Sequence, residues 1–298
     1  MSLDPPLSYI ERTTSYYLGL GYDNPYRWAR FETVPFTRPS KALKDMRVAI
    51  VTTAAPFQPD KGDQGPGAAY NAAAKFYQLY RLPVDPEPDV RISHIAIDRV
   101  HTTAEDKGTY FPLAALKQAA AEGVIGAVAP FIYGFPTNRS QRTHLEQDCP
   151  ALVRTLLEDK VEAVILVPNC PVCHQSVALA ARAAEEAGIL TVIMGCAKDI
   201  VEQVGVPRFY FSDFPLGNSC GRPNDPLSQT QSLAGALSLL TSATAPRTTL
   251  TNPLSWDGAE NWKDDYSNIT KLSAEEIAER RAEFDAAKTI SHQQEKVS

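Results

Sequence analysis

The most regular hydrophobic patterning lies in the second half of the chain. Val161-Glu162-Ala163-Val164-Ile165-Leu166-Val167 is an almost unbroken apolar run, the pattern of a strand buried on both faces. Pro171 to Ala187 follows as an Ala-rich helix. Proline suits its first position, and Gly188 stands where a helix often ends in a left-handed residue. Ile189 to Gly195 predicts a second strand, Asp199 to Val204 a short helix, Arg208 to Ser212 a third strand and Pro226 to Leu240 a further helix. Strands and helices alternating through short links imply a parallel sheet with right-handed crossovers. In the first half, Met46 to Thr53 is a β-branched run fit for a buried strand, and Val90 to Ile97 alternates as a second one. Pro112 to Glu122 and Leu145 to Asp159 have helical composition. The first 45 residues are rich in aromatics and proline without clear periodicity; Tyr16, Tyr17, Tyr22, Tyr26, Trp28 and Phe31 make them too apolar for a free tail. Ser273-Ala274-Glu275-Glu276 has the form of a capping box, opening a charged surface helix through about Ala287.

These elements predict an α/β fold of two Rossmann-like lobes with parallel sheets, residues 46–150 and 151–245. An N-terminal extension (1–45) and a C-terminal extension (246–298) flank them. Ligands of such sheets sit beyond the carboxyl ends of the strands, and three of those ends carry a cysteine nearby: Cys170, Cys196 and Cys220. A thiol site in the cleft is the expectation.

Composition narrows the classes. The net charge of −6 leaves no excess of Lys and Arg to neutralise phosphates, which argues against a nucleic-acid partner or an anionic membrane surface. The longest weakly polar run, Gly123 to Phe135, is too short to span a bilayer, and the first residues lack a signal-peptide pattern. A cytoplasmic protein is therefore expected, and its five cysteines do not read as a disulfide framework.

The chemistry concentrates in Asn169-Cys170-Pro171-Val172-Cys173-His174. Cys170 falls at or beside a helix N-cap, where unpaired N–H groups and the helix dipole favour thiolate over thiol. Cys173 is one turn on, close enough to pair with Cys170, and His174 at i+4 shares its face for proton exchange. Other readings of the pair are two buried apolar residues, or half of a zinc site completed by His174, Cys196 or Cys220. No second Cys-x-x-Cys exists, so no metal is assigned. Cys-x-x-Cys-His also matches c-type haem attachment, a reading that a strand-to-helix junction and the missing export signal oppose.

Cys220 and Asn218 lie in a glycine-bearing loop, Pro215 to Pro223, suited to close approach of a ligand, while Cys196 and Cys149 read as packing. His94 and Tyr133 are further candidates for the substrate side, with a core histidine the alternative for His94. His101, His144 and His292 have no supporting context. The Pro56 to Gly67 loop, with Asp60 and Asp63, reads as a solvated loop rather than a lid. Neither a glycine-rich dinucleotide fingerprint nor a P-loop is present.

Cys-Pro-Val-Cys-His after a buried strand, then Ala-Gly-Ile-Leu-Thr-Val and Phe-Pro-Leu-Gly, resembles the glycine/sarcosine/betaine reductase selenoprotein B family and its D-proline reductase branch. Arg47-Val48-Ala49-Ile50-Val51-Thr52-Thr53, Arg91-Ile92-Ser93-His94 and Glu122-Gly123-Val124-Ile125-Gly126 support the likeness, which runs from about Trp28 to about Leu240. The resemblance implies that Cys170 matches the position often held by selenocysteine, as nucleophile, with Cys173 as the resolving thiol and His174 as the adjoining histidine. It also implies a pyruvoyl-bearing partner subunit, which this chain does not encode.

Three enzymatic outcomes follow. The first is a dithiol reductase that cleaves a C–N or C–S bond of a small amino-acid-like or heterocyclic substrate through Cys170, holds no bound cofactor and is reset by an external dithiol. The second is a stand-alone desulfhydrase or hydrolase acting on a thiocarbonyl ring without net redox change. The third is a two-thiol racemase of the aspartate/glutamate racemase type, and a redox-sensor or metal-binding role comes last. The aromatic N-terminal extension points to a homo-oligomer contact.

Overall fold

The computed structural model describes residues 4–66, 68, 70–92, 94–137, 140–256 and 261–297. Residues 1–3, Gly67, Ser93 and the side chain of His292 lie outside the described residues. The strands are β1 (Arg47–Thr52), β2 (Ala55–Pro56), β3 (Tyr80–Pro83), β4 (Val90–Arg91), β5 (Ala127–Val128), β6 (Phe131–Gly134), β7 (Ala163–Val167), β8 (Leu190–Gly195), β9 (Arg208–Phe211) and β10 (Thr248–Thr251). The helices are α1 (Tyr9–Gly19), α2 (Leu113–Ala121), α3 (Gln141–Thr143), α4 (Cys149–Glu158), α5 (Pro171–Glu186), α6 (Lys198–Val204), α7 (Pro226–Ser242), α8 (Trp262–Asp265) and α9 (Ala274–Val297).

Among the described residues eight strands share one sheet in the order β10-β9-β8-β7-β1-β6-β3, with β5 also on β1. Every pairing is parallel except that of β3, which runs antiparallel to β6 at the edge. The expected pair of lobes with separate sheets is thereby corrected. β1, from the first half, pairs with β7, from the second, from Val48 opposite Ala163 to Thr52 opposite Val167. Both strands are apolar on both faces, so apart they would leave unpaired backbone edges and bare faces; joined, they form the centre of one core.

Alternation along the strands sorts that core into two clusters. Val48, Ile50, Ile165, Val167, Val192 and Met194 face α2 and α7 through Leu116, Leu233 and Leu237. Ala49, Val51, Val164, Leu166 and Ile193 face α4, α5 and α6 through Leu152, Leu156, Val177 and Val201. In α5, every residue but Val172, Ala183 and Glu186 is buried. Its alanines let the sheet approach closely, and the N-terminal extension covers it: the Ala29 N–H donates to Gln175 Oε1 (2.6 Å), whose amide nitrogen donates to the Tyr26 hydroxyl (2.6 Å).

The extension also reaches a fully buried ion pair, Arg208–Glu185 (2.7 Å). The Thr37 N–H donates to Glu185, and the Thr37 carbonyl accepts from Arg208 (2.6 Å). Within this chain, then, the extension's partners are its own body. The capping box of α9 forms as expected: Ser273 N–H donates to the Glu276 carboxylate (2.8 Å) and Glu276 N–H to Ser273 Oγ (3.2 Å). The helix is not merely solvated, for Phe284 packs edge-on against Tyr17 and Tyr22 (5.1 and 5.3 Å), and Arg281 lies over Tyr22. The strand expected over Val90 to Ile97 shrinks to Val90–Arg91, paired with β2. Beyond it Arg99 donates to the carbonyls of His94 (2.5 Å) and Ala68 (3.2 Å), which holds the segment as a loop.

Candidate active site

β7 ends at Val167, and three residues carry the chain from the sheet to α5. They are pinned from two sides: the Asn169 N–H donates to Thr53 Oγ1 (3.0 Å), and Ser219 Oγ donates to the Pro168 carbonyl (3.0 Å). Cys170 then takes an extended conformation (φ −141°, ψ 169°) as the N-cap of α5, with Pro171 at the first helical position. Its sulfur accepts the Cys173 N–H at 3.2 Å. Such an N–H, together with the positive end of the helix dipole, stabilises a thiolate once the sulfur is reduced. Cys170 and Cys173 are joined in a disulfide, and both are buried.

Next to this pair stands His94, from the loop after β4. Its ring nitrogens offer a ligand atom that lies, with both sulfurs, in a group no more than 4.8 Å apart. His94 is 5 % exposed, and its Nδ1 has no hydrogen-bond partner. Burial pushes its pKa down to about 3, and the nearby Lys75 and Arg99 charges push the same way, so the imidazole is neutral. Asn169, adjoining Cys170, is fully buried with neither amide atom partnered. A buried polar group left unpaired costs about 1–3 kcal/mol. His94 stands against the sulfurs and Asn169 adjoins Cys170 in the chain, and each carries polar atoms that a polar ligand would satisfy.

The other expected site residues are placed differently. His174 does not offer a nitrogen to a substrate: its Nδ1–H donates to the Cys170 carbonyl (2.7 Å), and its Nε2 accepts the N–H groups of Cys196 (2.9 Å) and Ala197 (3.1 Å). Burial lowers its pKa to about 4, so it is a neutral brace between α5 and the end of β8. A Cβ on Gly195 would come within 2.8 Å of that ring, which explains glycine there.

Tyr133 is not brought to the thiols. Its hydroxyl donates to Asp159 (2.7 Å), which caps α4 just before β7, beyond the opposite end of the strand from Cys170. Asn218 braces its own loop, its amide nitrogen donating to Thr102 Oγ1 (2.7 Å) and the Pro215 carbonyl (3.1 Å). Cys220 is buried in the apolar cluster under α2 and α7, and burial raises its thiol pKa well above the usual value. Cys196, which lies against Ser219 Oγ (3.7 Å), is pushed to about 12, as is Cys149.

Some features escaped the sequence reading. His144 stacks on Phe135, and its ring bridges Asp148 (2.9 Å) and Ser176 Oγ (3.1 Å) in a buried chain against the first turns of α5. The i,i+4 spacing of His144 and Asp148 was the available signal. His101 is held by Asp98 at 3.0 Å. Thr53 and Ser219, which position Asn169 and Pro168, gave no signal because their partners are distant in sequence. Arg99, five residues from His94, holds that loop through a main-chain carbonyl that no side-chain pattern marks.

Fold and site together define an α/β protein with a cysteine pair, in disulfide form, capping the helix that follows a central strand. The chain belongs to the glycine/sarcosine/betaine reductase selenoprotein B family: the family's sequence model matches residues 18–169, just over half of the 298 residues, and stops one residue before Cys170. It is 34% identical to D-proline reductase subunit gamma of Acetoanaerobium sticklandii over 66% of this chain and 81% of that protein. It is 25% identical to glycine reductase complex component B subunit gamma of Peptoclostridium acidaminophilum, over 67% of this chain and 46% of that protein. The sarcosine reductase complex component B subunit beta of the same organism is 26% identical over 67% of this chain and 46% of its own length. The chain thus spans most of the D-proline reductase subunit and about half of the other two. No solved structure matches. Among the described residues no helix is long and apolar enough to cross a membrane.

Proposed function

We propose that this chain is a dithiol-dependent reductase subunit, which cleaves a C–N or C–S bond of a small amino-acid-like or heterocyclic substrate. In this reading Cys170 thiolate attacks the substrate carbon, and the nitrogen or sulfur leaves with a proton. Cys173 then attacks the Cys170 sulfur, and the carbon departs with a second proton. The net change is C–X to C–H, with two thiols oxidised to the Cys170–Cys173 disulfide and an external dithiol returning both electrons. His94, neutral and beside both sulfurs, supplies and takes the protons, while Asn169 holds a polar group of the substrate.

The observation that carries the reading is the disulfide at a helix N-cap with the buried His94 beside it, a histidine whose Nδ1 is unpartnered. The naming of the relatives as subunits of reductases, one of them of D-proline reductase, supports the reaction class and a partner subunit, which the family resemblance makes a pyruvoyl-bearing one. Soluble cytoplasmic residence and homo-oligomer formation belong to the same proposal. No observation in the site favours the hydrolytic or racemase alternatives.

The test is the thiol state of fully reduced protein, read by intact mass after denaturing alkylation. D-proline, glycine, sarcosine and sulfur heterocycles would be offered without added dithiol, with and without a pyruvoyl-type subunit. Loss of two alkylatable thiols mapping to Cys170 and Cys173, matched one for one by reduced product, is the expected result. Repeated turnover with both thiols still free would overturn the reductase reading in favour of hydrolysis, and exchange of substrate hydrogen with solvent deuterium would turn it to racemisation.

A further inference from the structure

The cluster that the proposed reaction uses has a second capacity, resting on the same residues but not on the reductase reading. We infer that the reduced chain binds one thiophilic divalent cation of the zinc class through His94, Cys170 and Cys173.

The donor set is the one such ions select: two thiolates and one imidazole, three protein ligands that leave a fourth position open. The ligand atoms already lie within 4.8 Å of one another. Tetrahedral bonds of the usual lengths place such atoms about 3.5–3.8 Å apart. Opening the disulfide and small side-chain rotations therefore suffice. One ring nitrogen of His94 already stands in that group with both sulfurs, and its Nδ1 is buried without a partner. The Cys173 N–H that bonds to the Cys170 sulfur stabilises a bound thiolate as it does a free one. Binding balances simply: the cation displaces one proton from each thiol, and no electrons move.

The residues that sequence spacing offers as third ligand are otherwise engaged. Both nitrogens of His174 are held by main-chain groups. Cys196 lies against Ser219 Oγ, and Cys220 is sealed in the apolar core. Only the tertiary placement of the His94 loop completes a three-ligand set. Oxidation of the pair removes two of the three donors, so disulfide and metal are mutually exclusive occupants.

The test uses the full chain, reduced with a phosphine and freed of metal under anaerobic conditions, then titrated with cobalt(II) as spectroscopic probe and zinc as competitor. One cobalt per chain, with thiolate-to-cobalt charge-transfer absorption displaced by one equivalent of zinc, is expected. His94→Ala and His94→Asn should each weaken binding by more than about tenfold, a loss that even outer-shell partners of a metal ligand can cause. Cys173→Ser should abolish the charge-transfer band of a two-thiolate site, and Cys220→Ser should leave it unchanged; circular dichroism of each reduced variant confirms its fold. The oxidised chain should bind none. Absence of binding to the reduced chain, equal binding by folded His94 variants, or loss of binding in Cys220→Ser would each overturn the site. The readout is ligand-field and charge-transfer absorption, so it stands apart from turnover. A chain that forms the substrate-driven disulfide but binds no cobalt refutes the metal site alone. A chain that binds cobalt but never forms that disulfide refutes the reductase reading alone.

Discussion

Replacing His174 by alanine separates a brace from a catalytic base. The imidazole satisfies three main-chain groups in a fully buried place: the Cys170 carbonyl at 2.7 Å and the N–H groups of Cys196 and Ala197 at 2.9 and 3.1 Å. Each group left without a partner costs about 1–3 kcal/mol, so His174→Ala should lose at least about 3 kcal/mol. That is a large share of the roughly 5–15 kcal/mol that holds a domain folded. Acid dependence gives a second readout. The folded-state pKa is depressed to about 4 by burial, below the unfolded value near 6.5, so unfolding takes up a proton between those limits. The contribution is complete above about pH 6.5 and is lost as pH falls toward about 4, at up to about 1.4 kcal/mol per pH unit. His94 titrates in the same sense in both proteins, so the difference between parent and variant isolates His174. Urea unfolding at about pH 7.5 and about pH 5 measures both effects: the variant should have a lower midpoint, and a shallower pH dependence by one proton. Equal midpoints with an unchanged pH slope would refute the brace. A variant as stable as the parent yet inactive would return His174 to the role of proton carrier.

Asn169→Leu replaces a buried amide that has no partner by an apolar group of similar size; it should raise the unfolding free energy from urea titration by about 1 kcal/mol while weakening substrate binding, and a destabilised variant would show that the amide is satisfied in the folded chain. Cys170→Ser should abolish substrate-driven loss of thiols with little change in fold, as full activity in the variant would move the nucleophile elsewhere. Glu185→Gln leaves the Arg208 charge buried without its counter-charge and should cost about 3–5 kcal/mol, with faster proteolysis of the segment around Thr37; an unchanged midpoint would remove the pair from the account of stability. Gly195→Ala pushes against the His174 ring and should reproduce part of the His174→Ala loss, which parallel melts would detect.

Local patterning was enough for the elements with one-sided or wholly apolar periodicity. The run 161–167 gave β7, the alanine-rich stretch between Pro171 and Gly188 gave α5, and Ser273 with Glu276 gave the cap of α9. The edge strands β3 and β10 are short and half exposed, so they carry no such pattern, and α1 is an aromatic helix with a single buried residue. The placement of Cys170 at a helix start with Cys173 one turn on was also local, because a cap and a turn involve neighbours in sequence.

What lay beyond the sequence is everything set by long-range pairing. That β1 and β7 lie side by side, merging the two expected lobes into one sheet, depends on backbone bonds between residues over a hundred positions apart. That His94, with an unpartnered Nδ1, rather than His174 stands uncommitted beside the sulfurs depends on where a loop after β4 is held, and on two N–H groups at the end of β8 that consume the Nε2 of His174. The chain thus determined by itself the helix-capping cysteine pair, since dihedral preferences and capping act within one turn. Only the tertiary structure decided which histidine serves it, because a hydrogen bond or its absence is settled by the groups that packing brings together.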